Sequence, residues 1–280
     1  MRIGPVGFRV GSDWRTPVRQ LEMLYAGYPK PEDDVPDFTV RLFAARPWRR
    51  VIRPAVMLGG DFVLPDAAPL PLAQGLLAAE MAMNLQMALG QRHYLLLHAS
   101  AVERDGRVLL MTGESGSGKS TLAALLSRAG WRFMGDEFAL IDPATGLVHA
   151  FPRLVSLKNA AIDVVEAALP GARFGPLLEG TPKGAIRHLV PGAAAVAAMD
   201  TPGTPALLLF PRFGFAPDVR PVAPGEVFVR LTQASTNYVA LGERGFDALT
   251  QLVRSIPAHA IDYPDTTTAL AQVEALWRAL

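Results

Sequence analysis

The chain has 280 residues, half of them hydrophobic, and its 27 basic and 26 acidic residues leave a net charge of +1. That length supports one large domain or two unequal ones, and the hydrophobic share excludes a disordered chain. The balanced charge without basic runs argues against a nucleic-acid partner, and the lack of cysteine removes disulfides, thiolate metal sites and cysteine nucleophiles.

The opening residues Met1-Arg2-Ile3-Gly4-Pro5 lack the apolar core of a secretory signal. Residues 8–10 and 38–43 alternate apolar and polar side chains, as half-buried strands do. Residues 16–25 fit a short helix and 29–34 a loop. Residues 72–89 carry the Ala, Leu and Met content of a helix. The apolar run there is interrupted by Pro71, Gln74, Glu80, Asn84 and Gln86, so no membrane span or membrane partner is expected. Glu80 and Asn84 lie one turn apart, which predicts a solvated stripe or a local hydrogen bond. Residues 1–90 are expected to form a small N-terminal α+β region, suited to binding a substrate or partner. Residues 91–280 are expected to form the main domain of a soluble, cytoplasmic protein.

From residue 94 the pattern changes. Residues 94–103 and 107–112 read as strands joined by Asp105-Gly106, a two-residue hairpin turn. Such a turn sets Arg104 opposite Arg107, and carrying the register down the ladder sets His98 opposite Gly113. Residues 120–129 then read as a helix closed by Gly130, and 131–134 as a strand. Residues 138–141 and 147–151 flank a second hairpin turn. Strands are expected near 206–210 and 227–231, and helices near 245–255 and 267–279.

Gly113-Glu114-Ser115-Gly116-Ser117-Gly118-Lys119-Ser120 satisfies G-x-x-x-x-G-K-[ST], and Thr121 continues the helix behind it. Glycines let successive backbone N–H groups turn inward around an oxyanion. The helix start adds its positive dipole end. Lys119 is placed to reach the β and γ oxygens of ATP, and the Ser120 hydroxyl to ligate Mg²⁺. Asp136 and Glu137 end the strand after this helix and are expected on the same edge as the phosphates. The pattern assigns Asp136 as catalytic base and metal-shell residue, with Glu137 in support. Successive strand residues face opposite ways, so both aim inward only if the strand has ended.

Together, His98, the glycine-bearing hairpin, residues 113–120 and Asp136-Glu137 resemble the HPr kinase/phosphorylase group, whose core also resembles that of ATP-dependent PEP carboxykinase. The resemblance implies an α/β (α+β) fold: a P-loop kinase core with a small N-terminal α+β region. It implies that His98, Lys119, Ser120, Asp136 and Glu137 surround the phosphates. The sequence is most similar to the HPr kinase-related kinase A branch, through His98-Ala99-Ser100, Trp131-Arg132, Pro152-Arg153 and Ser156-Leu157-Lys158-Asn159. Lys183-Gly184, Arg187-His188-Leu189, Phe210-Pro211-Arg212, Asn237-Tyr238 and Leu241-Gly242 extend the likeness over nearly the whole chain. On this resemblance Arg187 is expected to reach the γ-phosphate or the acceptor, supported by Lys183. The expected activity is transfer of the γ-phosphoryl of ATP to a serine-like hydroxyl on a peptide, small protein or small molecule. A partner from a peptide-modification system is implied, and a homo-oligomer is compatible. Two other classes stay open: a P-loop ATPase with water as acceptor, and a nucleotide-binding regulator without chemistry.

Overall fold

Three strands of the N-terminal third, β1 (Arg2–Ile3), β2 (Val6–Ser12) and β3 (Phe38–Ala44), follow the alternation of their sequence. Helix α1 (Arg15–Leu24) separates β2 from β3 and buries Pro17, Leu21 and Leu24, which share one face. Strands β4 (Ala55–Gly60) and β5 (Leu70–Pro71) complete a five-stranded sheet in sequence order, with β2 and β3 parallel. Helix α2 (Gly75–Gly90) is apolar nearly all round and is buried accordingly. The computed structural model describes residues 1–31, 34–64 and 66–280, so Glu32 and Asp33 of the expected loop lie outside the described residues.

The core of this layer continues into the rest of the chain. Phe8, Val40, Met83 and Met87 pack with Leu96, Leu140, Phe151 and Leu154.

Strands β6 (Leu95–Leu97), β7 (Ala99–Arg104) and β8 (Arg107–Thr112) come next. Asp105 and Gly106 both have positive φ, 56° and 76°, as a two-residue hairpin with right-handed twist requires. The ladder runs from Arg104 opposite Arg107 to Ala99 opposite Thr112, in the expected register. The segment expected as one strand is two. β6 pairs with residues 139–141 of another sheet while β7 pairs with β8, and His98 is the residue between β6 and β7.

Helix α3 (Lys119–Arg128) follows the glycine loop, then come β9 (Arg132–Gly135), β10 (Ala139–Ile141) and β11 (Val148–His149). Strand β12 (Val155–Lys158), helix α4 (Ala160–Ala168), β13 (Leu178–Thr181) and β14 (Gly184–Leu189) build a small sheet of order β12-β14-β13. The chain closes with α5 (Ala193–Ala197), β15 (Thr204–Phe213), β16 (Asp218–Pro221), α6 (Pro224–Ala234), α7 (Tyr238–Leu241), α8 (Glu243–Ser255), β17 (Ala258–Tyr263) and α9 (Thr266–Arg278).

The main sheet has the order β16-β17-β15-β8-β7-β9, with β17, β15 and β8 parallel. Val108 and Leu110 face α6 and α8, whereas Leu109 and Met111 face α3 and α9. A strand covered on both faces is apolar throughout, which explains the run 108–111. The fold is thus mixed α/β, three layers around the main sheet, with the N-terminal sheet packed alongside.

One expected element changes type. Residues 227–231 lie in α6, not in a strand. The β-branched Val227 and Val229 point to a strand, but Pro224 opens the helix and Val227 and Leu231 bury one face. Glu80 and Asn84 also differ from expectation. Glu80 is buried and pairs with Arg153 at 2.6 Å, Asn84 accepts from the same guanidinium, and Tyr25 donates to Glu80 at 2.9 Å. Their shared face points at a long-range partner that helical spacing does not reveal.

Candidate functional site

The C-terminal ends of β8 and β9 lie on one edge of the main sheet. They are not neighbours, because β7 runs between them antiparallel to both. Two antiparallel steps restore a common direction, so the glycine loop after β8 and the acid pair after β9 still meet.

The loop has the backbone that its glycines permit. Gly118 has φ +95° and packs against the Tyr263 side chain, so a β-carbon there meets both strain and a clash. Tyr263 fixes the loop from outside by donating its hydroxyl to the Ser117 carbonyl at 3.0 Å. The Lys119 ammonium curls into the loop and donates to the carbonyls of Gly113 and Glu114, each at 2.8 Å, and to Ser117 Oγ at 3.4 Å. Burial lowers the Lys119 pKa, and the charges of Asp136 and Glu137 oppose that shift.

Asp136 is 2 % exposed. Its Oδ1 accepts from Ser100 and, at 3.1 Å, from Ser120, while its Oδ2 is buried with no hydrogen-bond partner. Burial and the neighbouring Glu137 carboxylate raise the Asp136 pKa, against the pull of the two serine hydroxyls and Lys158. A buried carboxylate oxygen left unpaired is costly in a folded protein and fits a site made for a ligand.

β9 ends at Gly135, and Glu137 has φ +72°, a left-handed backbone unusual for a residue with a side chain. The turn brings both acids onto the same cavity, the condition that the sequence left open. His98 Nδ1 lies 3.7 Å from Glu137 Oε2, and the His98 carbonyl accepts from Thr112 at 2.9 Å, which ties it to the strand leading into the loop.

His98, Lys119, Ser120, Asp136 and Glu137 line a cavity of about 310 Å³ together with Ser115, Gly116, Thr121, Lys158 and Val164. A broader groove of about 1210 Å³ shares His98, Ser115, Gly116 and Glu137 with it, adds Gly113, Glu114 and Ser117, and is bordered by Arg212 and Arg230. The donor set suits a nucleotide triphosphate. The glycine backbone, a lysine and a helix start offer donors that suit anionic oxygen, and Ser120 with Asp136 Oδ1 beside it suits Mg²⁺ in a shell completed by phosphate and water. Among the described residues no group of three or more His, Asp or Glu could hold a metal ion by protein ligands alone.

The structure therefore gathers His98, residues 113–121, Asp136 and Glu137, and it does not gather Arg187. On β14, Arg187 stands opposite Leu157 of β12, whereas His188 stands opposite Ser156 and Ile186 opposite Lys158. Paired residues share a face, so Arg187 points away from the acids. Its guanidinium binds Glu166 and the Gly175 carbonyl and stacks 5.2 Å from the Phe174 ring centroid. Lys183 does line a chamber beside Asp136 and Glu137, with Lys158 and His188. Lys158 is the cation that sequence reasoning passed over. Its alternation with Ser156 was visible, but which face of a short strand looks inward depends on the pairing with β14.

The family model described as SynChlorMet cassette protein ScmC matches residues 75–200. That stretch holds α2, the glycine loop and the acid pair. No curated protein matches the chain. Among solved structures the chain is similar to one titled "Structure of the Hpr(Ser) kinase/phosphatase from Coxiella burnetii", at 15 % identity and a TM-score of 0.26. The match covers 66 % of this chain and 99 % of that chain. Among the described residues no helix is long and apolar enough to cross a membrane.

Proposed function

We propose that the chain is an ATP-dependent kinase that transfers the γ-phosphoryl to a serine-like hydroxyl of a peptide, small protein or small molecule. The observation that carries this reading is Asp136: a buried carboxylate with one oxygen unpaired, joined through Ser120 to the glycine loop. The glycine loop and Lys119 hold the phosphates, and bound ATP with Mg²⁺ supplies the transferable phosphoryl and neutralises its charge. Ser100 and Ser120 orient Asp136 so that its free oxygen is available to accept the proton of the acceptor hydroxyl. Burial raises its basicity toward that task. Glu137 and His98 complete the rim: Glu137 supports the metal shell, and His98 orients or stabilises the transferring group.

The model match to an ScmC cassette protein accords with a role in a peptide-modification system. Simple nucleotide binding gives no role to a desolvated base beside the loop, and an ATPase would use the same base on water, so label passing to a hydroxyl acceptor rather than to water is what separates the kinase from an ATPase.

Titrating the protein calorimetrically with a non-hydrolysable ATP analogue and Mg²⁺ tests the cradle. Binding is expected with the native chain. Lys119→Ala is expected to lose about 3 kcal/mol or more of transition-state stabilisation, over 100-fold in rate. Native affinity and turnover in Lys119→Ala would contradict the assignment.

A further inference from the structure

Behind the acid pair lies a second chamber, of about 200 Å³. Asp136, Glu137, Ser156 and Lys158 line both this chamber and the nucleotide-side cavity, so the two share a wall. Its other walls carry Lys183, His188 and the apolar Leu77 and Ile186. His188 is 1 % exposed and its Nδ1 has no hydrogen-bond partner. Arg153 also borders the chamber, but its charge is matched by the buried Glu80. Two lysines and an unpaired imidazole nitrogen therefore face a space that opens onto the base from the side opposite the glycine loop.

The volume limits the occupant. At about 200 Å³ the chamber is smaller than the nucleotide-side cavity of about 310 Å³ and suits a ligand of few non-hydrogen atoms. A folded protein surface does not enter such a space. A small molecule does; Glu80 offsets Arg153, and with Asp136 assigned to the acceptor proton and Glu137 to the metal shell, Lys158 and Lys183 are left to match an anionic group.

We propose that this chamber is the acceptor subsite and that the acceptor is a small free hydroxy acid. The proposal rests on the kinase reading above. The hydroxyl faces Asp136 and the carboxylate lies between Lys158 and Lys183, with His188 Nδ1 available to a further polar group. In the transfer, the acceptor oxygen forms a bond to the γ-phosphorus as the bond from that phosphorus to the β,γ-bridging oxygen breaks. ADP departs with that electron pair, and the hydroxyl proton passes to the Asp136 carboxylate. Lys158, on the shared wall, stands where negative charge spreads over the transferring group.

The test uses the full chain with Mg²⁺ and γ-labelled ATP. The offered acceptors are glycerate, lactate, glycerol and a serine-containing peptide blocked at both ends. Label is located by mass spectrometry, and nucleotide affinity is measured separately by calorimetry. At least one hydroxy acid is expected to surpass glycerol and the peptide by about 100-fold in kcat/KM, because the neutral acceptors leave the lysines unmatched. Lys183→Glu is expected to raise KM for that hydroxy acid by about tenfold or more, while nucleotide Kd moves less than about twofold. Nucleotide binding with label passing only to water, glycerol or the peptide overturns the acceptor assignment and leaves the cradle standing. An unchanged KM in Lys183→Glu also overturns it. Absence of nucleotide binding is a failure of the kinase reading itself.

Discussion

Asp136 is where stability and chemistry oppose each other. A carboxylate whose pKa is raised by burial binds its proton more tightly folded than unfolded. Its ionised form therefore costs stability above the folded pKa, and that cost disappears as pH falls through it. Asp136→Asn removes the charge in a nearly isosteric frame. The ligand-free variant is expected to be more stable than the native chain by about 1 kcal/mol or more at pH 8, since it relieves a buried, underpaired charge. The gain should shrink as pH falls toward the ordinary carboxylate range; thermal melts of both proteins from alkaline pH down into that range check the sign. A gain that grows on acidification would contradict the raised pKa. Gly118→Ala belongs to the same scale. A β-carbon there is strained at φ +95° and meets Tyr263, so the loop must distort. Nucleotide affinity should fall by about tenfold or more, as preorganised backbone donors are lost. Unchanged affinity by calorimetry would mean that the loop does not cradle phosphate. At this scale the placement of several candidate residues was legible. His98 followed from hairpin arithmetic, and the glycine loop from its spelling. Arg187 did not, because facing is decided by the antiparallel pairing of β12 with β14, two segments nearly thirty residues apart.

Between elements, the tie that sequence periodicity missed is the cluster joining α2 to the segment before β12. Arg153 has its guanidinium on Glu80 and Asn84, and Tyr25 from the end of α1 closes the group. Removing one partner leaves a buried charge uncompensated, so Glu80→Ala should cost about 3–5 kcal/mol. Denaturant unfolding measures this, and a loss below about 1 kcal/mol would place the pair in solvent instead. The cluster also borders the second chamber, so the N-terminal layer helps shape the ground beside the acids. Elements with one apolar face were visible in the sequence, as with α1, α3, α8 and α9. Residues 224–234 were not, because their β-branched valines favour a strand locally while proline and tertiary burial select a helix. β17 has no strict alternation to announce it: His259 and Asp262 fall on different faces, and Ala258 and Ala260 pack on one side of the main sheet while Ile261 and Tyr263 pack on the other.

At the scale of the whole molecule, the main sheet and the small β12-β14-β13 sheet meet at one wall made by Asp136, Glu137, Ser156 and Lys158. Phosphates are expected on one side and an acceptor on the other. On the proposed reading Asp136 serves both sides from one position, since it lines the two cavities. Separating binding from transfer in Asp136→Asn tests this account most directly. Calorimetry with the non-hydrolysable analogue and Mg²⁺ should give an affinity close to native, while transfer of label from γ-labelled ATP should fall about 10²–10⁴-fold, the range expected for a lost general base. Transfer at the native rate in Asp136→Asn would contradict the account.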